Sequence, residues 1–412
     1  MMDRDTQLLL VVGSGNQHYR EYLLESVASR HRLWLLDAKE PTWQLRHVVG
    51  WTVVDVFDVE RLLAAACALA TTNAVVGVLC YDEALILPAA HVAAALGLPG
   101  MAPEAVERCR DKSKTRATLA AAGLPQPHSV AVSCFEQARS VAGLIGYPLV
   151  LKPRALGASQ GVIKVDDFAR LEAAFRVASS ASYPGVPTYA DGVLVEEYLD
   201  GPEISIDGFV VDGTYHPLFL ARKQVGLAPY FEETGHMVTA RDELLADGDL
   251  RDHLNAAHRA LGIQHGITHT EVRLTSRGPR IVEVNGRLGG DLIPYLGWLA
   301  TGIDPGHVAA DLAIGRHPTP QPSSSRSAGI RFLYPPRDCR VLSIRVPEPD
   351  PALGIHRAVA LATPGMELRL PPNGYVSRYA YIICEAAAAA ACASFLEAAA
   401  GRAELAWQAR AG

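Results

Sequence analysis

No two of the seven cysteines form a C-x-x-C pair, and none stands at metal-ligand spacing from a histidine. An odd number of thiols spread over a long chain fits free cysteines in a reducing compartment, so neither a disulfide framework nor a zinc centre is expected. Long apolar runs are also missing. The opening stretch MMDRDTQLLLVVG carries acids before a short apolar run, and no later run reaches the length of a membrane span. Neither a signal peptide nor a transmembrane helix is expected, and the expected location is cytoplasmic. Basic clusters are lacking too. Lys and Arg number 38 against 44 Asp and Glu, a formal net charge of -6, which argues against nucleic acid as a partner.

Several catalytic signatures are present only in outline. Gly13-Ser14-Gly15 follows the apolar run Leu8 to Val12 but lacks the third glycine of a dinucleotide fingerprint, and Asp37 comes too early to be that fingerprint's acid. Gly157-Ala158-Ser159-Gln160-Gly161 matches the G-x-S-x-G of a hydrolase elbow, yet a strand pattern rather than a helix follows it. No Gly-Lys-Ser/Thr marks a Walker loop, and no Ser/His/Asp or Cys/His constellation appears. A protein nucleophile is therefore not expected.

What the chain does contain is ordinary globular composition, 49% hydrophobic and 20% charged over 412 residues, enough for two to four domains. Apolar runs at Leu8 to Val12, Leu33 to Leu36, Val53 to Val56 and Ala74 to Leu79 alternate with helical segments, which predicts an open parallel α/β sheet over the first hundred residues. Asp82 and Glu83 follow a strand's C-terminal end, where open sheets bind ligands, although exposed loop acids are commonly only solvated. Asp111-Lys112 opens a helix closed by Gly123. Beyond Pro127 a smaller unit is expected: a strand at Ser129 to Val132, a helix from Phe135 to Gly143, a strand Pro148 to Leu151 ending in Lys152-Pro153, a glycine-bearing loop Gly157 to Gly161, and a strand Val162 to Val165. Backbone N–H groups of such a loop can cradle phosphates, with Lys152 as a point charge. Read singly, that lysine is better taken as a surface residue at a strand end beside a flexible hairpin.

The stretch Thr268 to Asp291 organises the rest. Thr268 to Leu274 and Arg280 to Asn285 alternate apolar and polar residues around a Ser276 to Pro279 turn, so they predict a β-hairpin. An odd-length loop centred on Arg277 sets Glu271 opposite Glu283. His269, Glu271 and Arg273 then share a face with Ile281, Glu283 and Asn285, leaving Val272, Leu274, Val282 and Val284 for the core. Facing carboxylates repel unless a cation lies between them, and with an amide oxygen they suit magnesium carrying phosphate oxygens. A plain solvated sheet face is the bland alternative. Arg287, Gly289 and Gly290 follow directly, and a cation at the end of a ligand-bearing strand can stabilise a transferring phosphoryl group.

Taken together, Asp111-Lys112, the run Tyr147 to Pro153, the Gly157 to Gly161 loop, Val195-Glu196-Glu197-Tyr198-Leu199 with Gly201-Pro202-Glu203, Glu271, and Glu283-Val284-Asn285-Gly286-Arg287 resemble the ATP-grasp superfamily, and within it the carboxylate–amine ligases. The resemblance implies an α/β and α+β chain with an N-terminal open parallel domain (1–110), a connecting helix (111–127), a small lid (128–194), a catalytic subdomain (195–316) and, after a linker at 317–328, a C-terminal α+β part (329–412). It implies that Lys112, Lys152, Gly157, Ser159 and Gly161 meet ATP phosphates, that Glu196, Glu197, Tyr198 and Leu199 hold adenine, and that Glu203 meets the ribose. Glu271, Glu283 and Asn285 would bind two magnesium ions, or manganese in their place. Arg287 and Lys152 would be catalytic. Arg287, Gly289, Gly290, Asp291, His236, Asp82 and Glu83 would surround an amino-acid-like substrate, with Tyr230 to His236 as a mobile loop over it. The implied reaction is ATP-dependent amide bond formation through an acyl phosphate. Bicarbonate chemistry of the carboxylase or carbamoyl-phosphate kind, and a non-catalytic nucleotide-binding module, are the alternatives. Neither nucleic acid nor membrane is an expected partner, and a homodimer is the assembly to test. The Ala-rich stretch Glu385 to Ala400 is a strong helix former.

Overall fold

Four short apolar runs build the first sheet of the computed structural model, which describes residues 7–182, 186–187 and 189–409. β1 (Gln7–Val12), β2 (Arg32–Asp37), β3 (Gly50–Val53) and β4 (Ala74–Leu79) form a sheet of order β3-β2-β1-β4, and the β1–β2, β1–β4 and β2–β3 ladders are all parallel. Helices α1 (Gln17–Ala28) and α2 (Val59–Thr72) provide crossovers, a 3-10 turn at Trp43–Arg46 joins β2 to β3, and α3 (Ile86–Ala95) follows β4. The third strand lies three residues earlier than the apolar run Val53 to Val56 predicted. Asp55 accepts from Phe57 N and Asp58 caps α2 through Arg61 N, so turn chemistry ends the strand although valines continue.

Helices α4 (Pro103–Arg110) and α5 (Lys112–Ala121) lead out of this sheet. Asp111 caps α5, accepting from Ser113 N and Lys114 N. A second sheet of four strands follows: β5 (Ser129–Val132), β6 (Leu149–Pro153), β7 (Ile163–Val165) and β8 (Val193–Glu197), in the order β5-β8-β6-β7, backed by α6 (Phe135–Ile145) and α7 (Phe168–Ser180). A strand does follow the Gly157 to Gly161 loop, which removes the geometry of a nucleophile elbow.

The main sheet has eight strands. β9 (Glu203–Val211), β10 (Thr214–Gly226), β11 (Glu232–Thr239), β12 (Gly266–Thr275) and β13 (Gly278–Asn285) are joined by β14 (Ser327–Leu333), β16 (Ile355–Ala360) and β18 (Ala380–Ala386) in the order β13-β12-β9-β10-β11-β14-β18-β16. α8 (Gly248–Ala260) packs on one face; α9 (Ile293–Thr301) and α10 (Pro305–Ala313) pack on the other, against the N-terminal sheet. β15 (Cys339–Arg345), β17 (Glu367–Leu368) and β19 (Glu404–Ala409) make a small third layer, and α11 (Ala389–Ala400) covers β14 and β18. The sheet thus runs unbroken from β9 to β18 across the proline- and serine-rich segment before Ser327.

Three expectations change here. Glu232 to His236, expected as part of a mobile loop, lies in β11: Glu232 and Glu233 pair with β10, and Gly235 and His236 pair with both β10 and β14. Glu385 and Ala386 close β18 rather than open the Ala-rich helix, which starts at Ala389; cross-strand pairing of β18 overrides helix propensity there. The hairpin turn is two residues, Ser276 and Arg277, because Thr275 pairs with Gly278. An even loop on a regular ladder places Glu283 opposite Thr270, on the core face. A bulge at Val282 corrects this: Val272 pairs with Ile281, but Glu271 pairs with Glu283 and His269 with Asn285. Ile281 therefore turns into the core with Val272 and Val284, and Val282 faces the cleft, the reverse of the expected assignment. Arg116 of α5 stabilises the bulge by donating to both the Ile281 and Val282 carbonyls at 3.1 and 2.8 Å.

Candidate active site

Between the β5–β8 sheet and the main sheet lies a cleft of about 850 Å³. Its walls include Lys112, Lys152, Gly157, Ser159, Glu196, Glu197, Tyr198, Leu199, Glu203, Glu271 and Glu283, so residues from five separate stretches of chain meet in one place. Gly161 is outside the lining. Its φ of +71° and the clash that a Cβ would make with Pro153 and Ala181, at 2.8 Å each, show that it shapes the loop. Ala158 and Ser159 also have positive φ, 53° and 54°, so this loop is strained at non-glycine positions.

At one end of the cleft a buried ion cluster organises β8. Glu196 accepts from Arg116 Nε at 2.7 Å and from Lys152 Nζ at 2.5 Å. Burial disfavours its charge, yet Arg116 and Lys152 outweigh that and bring the carboxyl down to about 2. Burial lowers the Lys152 ammonium in turn, against the pull of Glu196. Lys164 lies over the Tyr198 ring at 4.8 Å, and Glu197 pairs with Arg277 of the hairpin turn.

The other end collects oxygen donors. Lys112 Nζ donates to the Leu156 carbonyl at 2.7 Å and to Glu283 Oε1 at 3.2 Å, tying loop to hairpin. One end of the Asn285 amide lies 3.0 Å from Glu283 Oε1 and 3.3 Å from Glu83 Oε2, where its nitrogen donates to both acids; turned over, its oxygen would stand beside theirs as a further cation ligand. Hard oxygen ligands of this kind fit magnesium. Beside them Lys223 of β10, its side chain buried, meets Glu203 and Glu233 at 2.8 Å each and Glu271 at 3.2 Å. Burial opposes the charge on Lys223, but the three carboxylates hold its ammonium well above the usual lysine range. Glu271 is partly buried, which alone would raise it; Lys223 and then His269 hold it well below the carboxylate range.

A second pocket of about 550 Å³ opens next to the first and shares Ala158, Glu233 and Glu271 with it. Arg287, Gly290 and Asp291 line it together with His269, Glu232, Ile293, Val376 and Arg378. Gly289 lies just behind, its N–H donating to Asp207 at 2.6 Å; a Cβ there would meet His269 Nδ1 at 2.7 Å. Arg287 Nε is 2.5 Å from Glu83, which also pairs with Arg110. Asp82 instead accepts from the Ala84 N–H in its own turn. His236 is buried beneath the pocket, 3.0 Å from Glu233 and 3.5 Å from Asp291. Asp291 receives both terminal nitrogens of Arg378, at 2.6 and 2.7 Å. Glu233, His236 and Asp291 are a metal-type trio by spacing, but Lys223 and Arg378 already balance its two acids.

Sequence reasoning passed over Arg116, Asp207, Lys223, Glu232 as an individual residue, and Arg378. Lys223 lies between the exposed Arg222 and Gln224 in β10, and Arg378 lies in an irregular segment, so neither carried a periodic signal.

Comparison with known proteins agrees with this geometry. An ATP-grasp domain model matches residues 145–295. An uncharacterised protein of Sinorhizobium fredii is 30% identical over 353 residues, covering 81% of this chain and 68% of that one. The alanine–anticapsin ligase of Bacillus subtilis is 31% identical over 260 residues, covering 58% of this chain and 54% of the ligase, so the match spans about half of that relative's length. The crystal structure of an L-amino acid ligase from Bacillus licheniformis superposes with a TM-score of 0.77 at 23% identity, covering 99% and 100% of the two chains, a likeness of fold. With two strand-borne acids and an asparagine converging beside a lysine-lined cleft, and with these matches, the chain belongs to the ATP-grasp superfamily.

Proposed function

We propose that this chain is an ATP-dependent carboxylate–amine ligase that joins amino-acid-like substrates by an amide or peptide bond and releases ADP and phosphate. The observation that carries the proposal is the junction of the two pockets: Ala158 of the loop, Glu233 and Glu271 line both, so a nucleotide's terminal phosphate and a small carboxylate can meet there. The alanine–anticapsin ligase similarity supports the same class of reaction.

A carboxylate oxygen attacks the γ-phosphorus, the bond to the β-phosphate oxygen breaks, and an acyl phosphate and ADP result. A neutral amine nitrogen then adds to the acyl carbon, phosphate leaves, and the nitrogen's proton is lost. The protein's part is positioning and charge neutralisation, with no covalent protein intermediate. In this reading the Gly157 to Gly161 loop and Lys152 hold phosphates, Glu196 to Leu199 hold adenine, and Glu203 faces the ribose. Lys112 links the phosphate loop to Glu283, and Lys223 offsets the charge that three acids bring to the same place. Glu271, Glu283 and Asn285 would hold the metal, two magnesium ions or manganese in their place, which neutralises phosphate charge when bound. Arg287, kept in place by Glu83, faces the transferring group from the substrate side.

Phosphate release measured over pairs of amino acids tests the proposal. Release that depends on both members of a pair is the expected result; release that follows bicarbonate instead, or none with any pair, overturns it.

A further inference from the structure

The substrate pocket is lined by four carboxyl groups, Glu232, Glu233, Glu271 and Asp291. Three of them have a cation in contact: Glu233 and Glu271 share Lys223 Nζ, and Asp291 holds Arg378 with both oxygens. Glu232 differs. Its carboxylate accepts from the Val376 N–H at 3.1 and 3.2 Å and from Tyr334 Oη at 2.7 Å, both neutral donors, and among the described residues no Lys, Arg or His forms an ion pair with it. The residue is only 2% exposed. A buried carboxylate without a cationic partner is costly, so its retention in a ligand pocket points to a cation brought by the ligand.

The pocket also has a direction. Ala158, Glu233 and Glu271 border the nucleotide cleft, whereas Glu232, Asp291, Val376 and Arg378, which do not line that cleft, are tied together through Tyr334 and Arg378. Arg378 Nε donates to Tyr334 Oη at 3.0 Å while Tyr334 donates to Glu232, so the arginine orients this acid through the phenol while its own charge is taken by Asp291. Asp291, expected from the sequence beside the substrate, is thus already neutralised. Burial raises the Glu232 carboxyl, against the effect of Tyr334, Val376 and the more distant charge of Arg378, which is itself paired with Asp291.

We propose that Glu232 receives the ammonium group of the acyl donor, so that the acid activated on this enzyme is a small amino acid and not a plain carboxylic or hydroxy acid. The inference rests on the ligase reading for which substrate is activated, but the binding contact can be tested apart from turnover.

The test uses Glu232→Gln and Glu232→Asp in the full chain. The Gln variant keeps an oxygen for Val376 and Tyr334 and removes only the charge, so a purely structural role predicts little change in it. Calorimetric titration of glycine and alanine, and of their des-amino analogues acetate and propionate, into protein loaded with magnesium and a non-hydrolysable ATP analogue gives the discrimination without chemistry. The wild type is expected to bind an amino acid and to reject its des-amino analogue; Glu232→Gln is expected to weaken amino-acid binding by about 10- to 100-fold and to lose that discrimination, with nucleotide affinity unchanged and partial recovery in Glu232→Asp. Equal binding of amino acid and analogue by the wild type, or unchanged discrimination in a folded Glu232→Gln, overturns the proposal. Should the Gln variant fail to fold, full discrimination in Glu232→Asp at unchanged affinity does the same, since shortening the side chain withdraws the carboxylate from the ligand. Discrimination through Glu232 without phosphate release for any pair removes the ligase reading and leaves the ammonium site standing.

Discussion

The nucleotide cleft and the substrate pocket adjoin and share three lining residues, yet they are built differently. The cleft takes its charged groups from regular elements: helix α5 supplies Lys112 and Arg116, and strands β6, β8, β9, β11, β12 and β13 supply the rest. The pocket takes Arg287 and Asp291 from the segment after β13, Glu232 from the start of β11 and Arg378 from irregular chain before β18. Every charged residue of the cleft lining has an ion-pair partner, whereas the pocket holds one acid, Glu232, that has none among the described residues. The difference teaches that both sites are assembled from distant parts of the chain, but periodic elements make their charged faces legible in sequence, whereas a pocket closed by irregular chain does not.

Substitutions at the two places should break this comparison in order of size. Glu283→Gln removes a charge at the oxygen cluster and leaves the bulge intact. Turnover in steady-state phosphate release should fall by about 10³-fold or more while circular dichroism is unchanged; near-normal turnover would mean that the hairpin is not the metal end of the site. Glu196→Gln leaves Arg116 and Lys152 without their buried carboxylate and should cost about 3–5 kcal/mol in denaturant unfolding. The sign with pH follows from the depressed carboxyl: at about 2 it lies below the ordinary 4.5. Its contribution is therefore full above the ordinary value and is lost as pH falls towards about 2. The variant should lack that part of the acid-side slope, and a slope equal to wild type would remove the assignment.

Smaller effects are expected on the substrate side. Arg378→Lys keeps the charge but not the two-pronged contact with Asp291, which should cost about 1.5–3 kcal/mol of stability. It should also raise the KM for one amino acid without moving the KM for ATP. A parallel rise in both would say that the two pockets are one functional unit. Tyr334→Phe removes one hydrogen bond to Glu232 and should cost about 1 kcal/mol, with a several-fold change in amino-acid KM; no change in either quantity would detach the phenol from the site.

Much of the framework was legible in the residues alone because it rests on periodicity and turn chemistry. The parallel N-terminal strands, the Asp111 cap and the small sheet with its phosphate-type loop follow local rules that need no tertiary information. Where two local rules competed, the structure chose. Asp55 and Asp58 ended β3 against a run of valines, and pairing within β18 held Glu385 and Ala386 against an alanine-rich helix. The facing of Glu271 and Glu283 came out as expected by a different route, a two-residue turn offset by a bulge, and that bulge exchanged the positions of Ile281 and Val282.

Sequence by itself determined which short stretches carry phosphate- and metal-type chemistry, since strand alternation sorts acids from core residues and order along the chain identifies the superfamily. Only the tertiary structure decided which charges remain available. Buried ions are settled by whichever partner the fold brings within about 3 Å, and partners such as Arg116 with Glu196, Lys223 with Glu203 and Arg378 with Asp291 lie 80, 20 and 87 residues apart. No local pattern encodes that pairing, so the acid left over for a ligand became visible only once the others had been matched.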